Sequence, residues 1–231
     1  TNEDFSRSIP KYFFDGAVYE KRVYNGFGTP LKNEELILGP NIAMWPEIEP
    51  LKRNILLKNV SVIEDAVTTT DELIPSGETS SYRSNPLKLA SFTLSRKDPN
   101  YVSRAKEVET LAKERSKELE TVLDKFGASF DDTTIKSFIF ANMPGDGSAR
   151  EQAASCQRVL GGGANVAIEY ATKRYRSNLI NWGMLPLLVK ENVFELGDYL
   201  YIDDIAGKLK NKQFDFDGTI IRGEKKIPVK L

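Results

Sequence analysis

The feature that most constrains the fold is an alternation of strand-like and helix-like segments in the second half of the chain. Residues Ile135–Phe140 form an apolar, β-prone run, and a helical pattern follows over Ala149–Leu160. A second strand, Asn165–Ile168, and a second helix, Ala171–Trp182, repeat this order. Strand–helix–strand units pack their helices against a shared sheet. The pattern therefore predicts an α/β fold, in which short strands between residues 185 and 229 add a second β layer.

The first half of the chain is less regular. Glycines and prolines interrupt residues 1 to about 50, which predicts an extended linker arm followed by a single domain over 51–231. Within that domain a strand is predicted over Asn54–Val60. One long helix is predicted between Pro99 and Lys125, with Gly127 as its C-cap.

Two features of the composition remove many kinds of chemistry. The 231 residues contain no histidine and one cysteine, Cys156, so this chain alone builds no Ser–His–Asp triad, histidine metal site, disulfide or cysteine-ligated cluster. Lys and Arg number 32 against 33 for Asp and Glu, which predicts neither nucleic acid nor an anionic membrane as partner. The apolar runs are too short to span a bilayer. The single cysteine and the lack of a visible signal peptide predict a cytoplasmic protein.

The most informative stretch for chemistry is Gly145–Gln152, which reads Gly-Asp-Gly-Ser-Ala-Arg-Glu-Gln. Its glycines permit a tight turn after a strand, and the hydroxyl of Ser148 is placed where a helix begins. Free N–H groups at a helix N-terminus favour an anion, and the Arg150 guanidinium suits a carboxylate. The alternative is that Ser148 only caps the helix, with Glu151 completing a capping box. Taken alone, this stretch favours the capping interpretation.

A second polar stretch spans residues 69–86. Asp71 follows a predicted strand, and Arg83 lies in a loop rich in serine. Such residues serve a site in some proteins, but on their own they are more often surface groups.

Together the two stretches resemble the C-terminal, swivelling domain of the aconitase family. Gly-Ser-Ala-Arg-Glu-Gln-Ala-Ala at 147–154 is similar to that family's Gly-Ser-Ser-Arg-Glu-His-Ala-Ala, and Leu-Gly-Gly follows at 160–162. Residues 177–186 resemble its Thr-Asn-Leu…Gly-Leu-Leu-Pro element. Residues 70–83 carry Thr-Asp, Gly and Arg as in its Thr-Asp-His-Ile-Ser…Gly…Arg pattern. The four matches keep the family's order over roughly residues 65–190.

The resemblance implies a three-layer β/β/α domain that closes over a 4Fe-4S cluster held by other domains of the same polypeptide or by a large subunit. It implies a hydro-lyase that reversibly dehydrates a small hydroxy acid, and a chain that is inactive on its own. Ser148 occupies the position of the family's catalytic base, and Asp71 matches an active-site aspartate. The positions implied to bind substrate are Arg83, Arg150, Ala149 and Gly147.

The chain departs from the family pattern at three positions. Ala149 replaces a second serine, which removes a hydroxyl that helps to hold a substrate carboxylate, although the backbone N–H remains. Gln152 and Glu72 each replace a histidine, and a carboxylate at Glu72 is expected to disfavour a citrate-like trianion nearby. The sequence therefore leaves the substrate open.

Two alternatives remain beside a multidomain hydratase. The chain is similar to the small subunit of a two-chain isopropylmalate-isomerase-like enzyme. It is also compatible with a binding or regulatory homologue that kept the fold and lost catalysis, for which Ala149 and the missing histidines are the evidence.

Overall fold

The computed structural model of the chain describes residues 12–17, 28–33, 35 and 37–231. The chain divides into two units, Thr1–Leu38 and Gly39–Leu231. The arm predicted over residues 1–50 therefore lies partly outside the described residues, and its last part, from Gly39 onward, belongs to the second unit. All the elements described below lie in that second unit.

A seven-stranded mixed sheet organises the second unit, with strand order β6-β5-β3-β1-β7-β8-β9. Strands β6, β5, β3 and β1 are mutually parallel, whereas β7, β8 and β9 are added by antiparallel pairing. A separate two-stranded parallel ladder joins β2 to β4. The strands are β1 Asn54–Ile63, β2 Thr68–Thr69, β3 Thr133–Ala141, β4 Pro144–Asp146, β5 Gly162–Ala167, β6 Leu185–Leu188, β7 Tyr199–Ile202, β8 Asp217–Arg222 and β9 Lys225–Lys230.

Seven α-helices accompany these strands in the described part of the chain. They are α1 Thr70–Leu73, α2 Pro86–Ala90, α3 Tyr101–Lys113, α4 Lys117–Asp124, α5 Arg150–Val159, α6 Lys173–Asn181 and α7 Ile205–Lys210. Among the described residues, no helix has the length and apolar character needed to cross a membrane.

The central strand β1 contributes to the hydrophobic core on both faces of the sheet. Because side chains alternate along a strand, Leu56 packs into the cluster that contains α1 to α6, while Ile55 and Leu57 pack on the other face with α7. Leu187 of β6 and Leu231, next to β9, line one cavity, so the two edges of the sheet curl towards each other. The predicted α/β fold is confirmed, and the second β layer is the antiparallel half of this one curled sheet.

The prediction of a single long helix between Pro99 and Lys125 is wrong, because this part of the chain forms two helices, α3 and α4. Arg115 adopts a left-handed conformation with φ of +49°, a conformation that usually selects glycine after a helix. The N–H groups of Arg115 and Ser116 donate back to the carbonyls of Ala112 and Leu111, which closes the end of α3. The hydroxyl of Ser116 then caps α4 by accepting a hydrogen bond from Leu119 N at 3.4 Å.

The helix predicted over Ala149–Leu160 is confirmed as α5. The glycines that follow it do not all form a loop, however, since Gly162 and Gly163 open strand β5. A Cβ on Gly163 would lie 2.6 Å from Cβ of Lys136 on the neighbouring strand. Glycine is therefore required there by the close approach of β3, a contact that propensity does not reveal.

Candidate functional site

The two polar stretches singled out in the sequence meet in the structure. Strand β2 pairs in parallel with β4, which places the start of α1 beside the turn after β4. Gly147 in this turn has φ of +123°, and a Cβ built on it would lie 2.3 Å from Oγ1 of Thr70. Asp71 is the residue after Thr70, and Ser148 is the residue after Gly147. The ladder thus brings the segments together, although they are far apart in sequence.

Ser148 does not cap the helix that follows it. The N-cap of α5 is Ala149, which has no side-chain oxygen, so no side chain accepts from the first-turn N–H groups. Glu151 does not complete a capping box either, because its Oε1 accepts a hydrogen bond from Nε1 of Trp182 at 3.1 Å. The capping interpretation is therefore wrong. The Ser148 side chain is exposed just before the positive end of a helix.

A cavity of about 370 Å³ lies between the start of α5 and helix α6. Its walls carry three cations and one carboxylate, and that carboxylate, on Glu151, is engaged by Trp182. The excess of positive charge, beside free helix N–H groups, suits a small anion with one or more carboxylates. The lining residues are Ser148, Arg150, Glu151, Lys173, Arg174, Ser177 and Asn178.

Arg150 has an unused donor at this cavity. Its Nε is buried, and it has no hydrogen-bond partner among the described residues. A buried N–H group without an acceptor is destabilising. Because this atom is shielded from solvent, a carboxylate bound beside Arg150 would provide its acceptor only if the guanidinium turned towards the cavity.

Two of the cavity's cations, Lys173 and Arg174, were not predicted from the sequence. They lie in the first turn of α6, where the helix dipole disfavours positive charge and no acidic residue compensates. Paired cations at the start of a helix break a local rule, and such violations are a signal of function. The sequence element that resembled the family, residues 177–186, begins one helical turn after these two cations.

Asp71 does not line the cavity. Its carboxylate accepts hydrogen bonds from Nη1 of Arg96 at 2.9 Å and from the backbone N–H of Ser76 at 3.1 Å. Arg96 also pairs with Glu78, so one guanidinium joins two carboxylates at the surface. Arg96 was not predicted as part of this neighbourhood, because the turn that brings it to α1 has no recognisable sequence motif.

Glu72 is turned towards its own backbone. Its carboxylate accepts from the Thr69 N–H at 2.7 Å, while Oγ1 of Thr69 accepts from the Glu72 N–H, forming a capping box at α1. Lys97 also donates to it at 3.2 Å. The Thr69 backbone hydrogen bond, opposed by burial and aided by Lys97, lowers the pKa of the Glu72 carboxyl. Its charge is thus neutralised locally, which weakens the expected repulsion of an anionic substrate.

Arg83 lies on the segment between a 3₁₀ turn, Ser80–Tyr82, and α2. Its side chain is exposed, and within the described ranges it has neither a hydrogen-bonded acceptor nor an ion-pair partner. It does not line the Ser148 cavity. The structure therefore groups Gly147, Ser148, Ala149 and Arg150 at one turn, and places Arg83 outside that group.

The side chains of this chain do not fit an iron–sulfur cluster. Cys156 is buried within α5 at 2% exposure, and burial raises the pKa of its thiol to about 12. Over the residues that the structure describes, no group of three His, Cys, Asp or Glu side chains is arranged to hold a metal ion. A thiolate cluster needs several cysteines, and this chain has one buried cysteine, so it does not supply such a ligand set.

Comparison with known proteins agrees with the motif pattern. Residues 95–192 match the family model described as the aconitase C-terminal domain. The structure is similar to that of 3-isopropylmalate dehydratase (leuD) from Methanocaldococcus jannaschii, with 21% identity, a TM-score of 0.42 and coverage of 73% of this chain and 84% of that chain. No curated protein matches the sequence. The predicted resemblance is confirmed.

Proposed function

We propose that this aconitase C-terminal domain supplies the carboxylate-binding half of the active site of a hydro-lyase. The observation that carries the proposal is the cationic cavity at the start of α5, where Ser148 is exposed and Arg150 has a buried donor without a partner. A substrate with carboxylates would satisfy both the excess charge and the unpaired donor.

Within this cavity the cations bind and orient the substrate. Arg150 presents a planar fork that suits a carboxylate, and Lys173 and Arg174 add positive charge from the opposite wall. The backbone N–H groups at Ala149 and beyond remain available for a carboxylate oxygen, although the alanine offers no hydroxyl. Arg83, which has no partner of its own in the described chain, is proposed as a further carboxylate ligand once the domain closes on its substrate.

Ser148 is proposed as the base that removes a proton from the carbon acid. A serine hydroxyl is a poor base in water, so its alkoxide needs a positive, dehydrated environment. The N-terminus of α5 and the neighbouring cations provide the positive charge. Asp71, fixed by Arg96, is proposed to hold α1 against the Gly147 turn, and so to keep the serine in place.

The remaining half of the site would come from other domains of the same polypeptide or from a large subunit. Those partners would hold a 4Fe-4S cluster, because the side chains of this chain do not fit one. We therefore expect this chain alone to bind carboxylates without turning them over.

Carboxylate binding tests the proposal directly. Tricarballylate, a tricarboxylate that cannot be dehydrated, is titrated into the ¹⁵N-labelled chain while amide chemical shifts are recorded. We expect shifts over residues 147–151 and 173–178, and about tenfold weaker binding by Arg150→Gln, since one charge-assisted pair is lost.

The matched control is Arg176→Gln, which removes the same charge from an exposed position on α6 that does not line the cavity. This variant should bind tricarballylate as the wild type does. Equal weakening by both variants would show only a general charge effect, and it would remove the support for a carboxylate site at Arg150.

A further inference from the structure

A second cavity lies at the opposite end of the parallel strands from Ser148. It has a volume of about 670 Å³ and opens beside Thr134 and Gly163, at the beginnings of β3 and β5. The Ser148 turn, in contrast, follows the far end of β3. The volume falls within the roughly 300–1,000 Å³ of small-molecule pockets. Most of its wall is aliphatic, with contributions from Ile55, Ile180, Leu185, Leu187, Leu209 and Leu231.

Two cations interrupt this aliphatic wall. Lys136 and Arg158 line the cavity, and both also line a neighbouring, more polar cleft of about 590 Å³. They therefore lie where the apolar cavity meets the polar cleft. This arrangement gives the cavity a charged end and an apolar interior.

Neither cation at this junction forms a close ion pair with an acid among the described residues. Arg158 donates from Nη1 to the carbonyl of Gly162 at 3.1 Å, but its Nε is buried without a partner, and no carboxylate among the described residues lies within ion-pair distance of it. Lys136 has Glu109 as its carboxylate, at 3.9 Å. Glu49 also lines the junction and Asp215 lines the cavity, so the wall carries two acids beside its two cations. Burial is the main cause that lowers the pKa of both Lys136 and Arg158.

We propose that this cavity binds an aliphatic monocarboxylate, with its carboxylate between Arg158 and Lys136 and its chain along the leucine-rich wall. A half-buried guanidinium with an unpaired donor is costly, and a carboxylate offsets that cost through a charge-assisted hydrogen bond. A neutral apolar ligand would leave the Nε of Arg158 unpaired. A short polycarboxylate would leave the aliphatic wall exposed to water.

Decanoate is the probe for this site, and its binding is followed by calorimetry and by amide chemical shifts of the labelled chain. We expect saturable binding with shifts at Leu185–Leu188 and Phe214–Phe216, and none at Ser148. Decanol, which has the same chain without the charge, should bind at least about tenfold more weakly. Arg158→Gln should weaken decanoate binding by a similar factor.

The matched control is Lys106→Gln, which removes one positive charge from an exposed position on α3 and should leave decanoate binding unchanged. If circular dichroism shows that Arg158→Gln does not fold, Ile180→Trp replaces it as the test of decanoate binding in this cavity. Ile180 lines the cavity and is 57% exposed, so we expect a larger ring there to be tolerated by the fold and to obstruct the cavity. Loss of binding in that folded variant supports the site.

Three results would overturn the proposal: no decanoate binding by the folded chain, equal binding of decanol and decanoate, or unchanged binding by both Arg158→Gln and Ile180→Trp. None of them bears on the tricarballylate site, because the two cavities share no lining residue.

Discussion

Two serines lie at the starts of helices, and only one of them caps its helix. Ser116 is the N-cap of α4, and its hydroxyl accepts a hydrogen bond from the Leu119 N–H. Ser148 lies one residue before the N-cap of α5, so its hydroxyl does not stabilise that helix. A difference of one position thus separates a serine with a structural role from one whose hydroxyl is available for chemistry.

Substitution of these serines should separate activity from stability. In the full-length enzyme, Ser148→Ala should lower kcat by at least about 100-fold, because the proposed base is lost, and change the unfolding free energy by less than about 0.5 kcal/mol. Ser116→Ala should leave kcat unchanged and reduce stability by about 1 kcal/mol. Steady-state kinetics and urea denaturation measure the two effects. A wild-type rate for Ser148→Ala would contradict its role as base.

Individual residues of the site were predictable where a local motif carried them. Ser148 and Arg150 stand in a glycine-rich turn before a helical pattern, and the structure places both at one cavity. Arg96 lies far along the chain from Asp71, and only the packing of the turns around α1 joins them. Sequence spacing contains no information about that contact, so this part of the neighbourhood was missed.

At the scale of single elements, α1 shows how a very short helix is held in place. It spans only Thr70–Leu73, too few residues for helix propensity to sustain. A capping box with Thr69 and an ion pair with Lys97 fix it through the carboxylate of Glu72. The helix that carries Asp71 thus depends on the ionised state of its neighbour.

The capping box makes the unfolding free energy depend on pH, and a substitution of Glu72 measures that contribution. The folded pKa of Glu72 is below its usual value of 4.5, so its contribution is present above pH 4.5 and is lost as the pH falls through the folded pKa. Glu72→Gln keeps hydrogen-bonding capacity without the charge. It should be less stable than the wild type by about 0.5–1 kcal/mol at pH 7, a modest value because the group is solvent-screened.

Urea denaturation between pH 7 and pH 3 should show that the difference in unfolding free energy between the wild type and Glu72→Gln decreases as the pH falls. The control is Glu191→Gln at an exposed loop position, whose difference from the wild type should stay near zero throughout. A Glu72→Gln difference that is constant with pH would mean that charge plays no part in the cap.

Whole elements were predictable in proportion to their length and periodicity. Strands β3 and β5 and helices α5 and α6 carry clear apolar patterns, and they were located to within a few residues. The ladder of β2 with β4 is two to three residues long and has no pattern of its own. Directly after this ladder Gly147 lies in close contact with Thr70, and a close tertiary approach of this kind cannot be read from the sequence.

At the scale of the whole molecule, Tyr175 joins the site to the core. Its hydroxyl, fully buried, accepts hydrogen bonds from Nδ2 of Asn165 at 2.7 Å and from Nε2 of Gln157 at 3.0 Å. These partners belong to β5 and α5, while Tyr175 itself lies on α6. A Cβ on Gly145 would lie 2.3 Å from its ring. One side chain therefore links two helices and a strand beneath the Ser148 turn.

Removal of that hydroxyl should destabilise the domain as a whole. Tyr175→Phe leaves two buried amide donors without their acceptor, which costs about 1–3 kcal/mol. Tyr82→Phe is the control, since that ring stacks on Phe92 and keeps its stacking after the change. Urea denaturation should show a lower midpoint for Tyr175→Phe alone. Equal stability of the two variants would mean that Gln157 and Asn165 find other acceptors.

The position of β1 at the centre of the sheet has a consequence for how the protein is made. β1 leaves the ribosome before both of its partners, since β3 begins at Thr133 and β7 at Tyr199. Until then its ten residues, nearly all buried in the finished domain, form an apolar segment with open edges on the nascent chain. Such a segment invites aggregation. We therefore expect chaperone binding to Asn54–Ile63 during synthesis, ending once β7 has emerged.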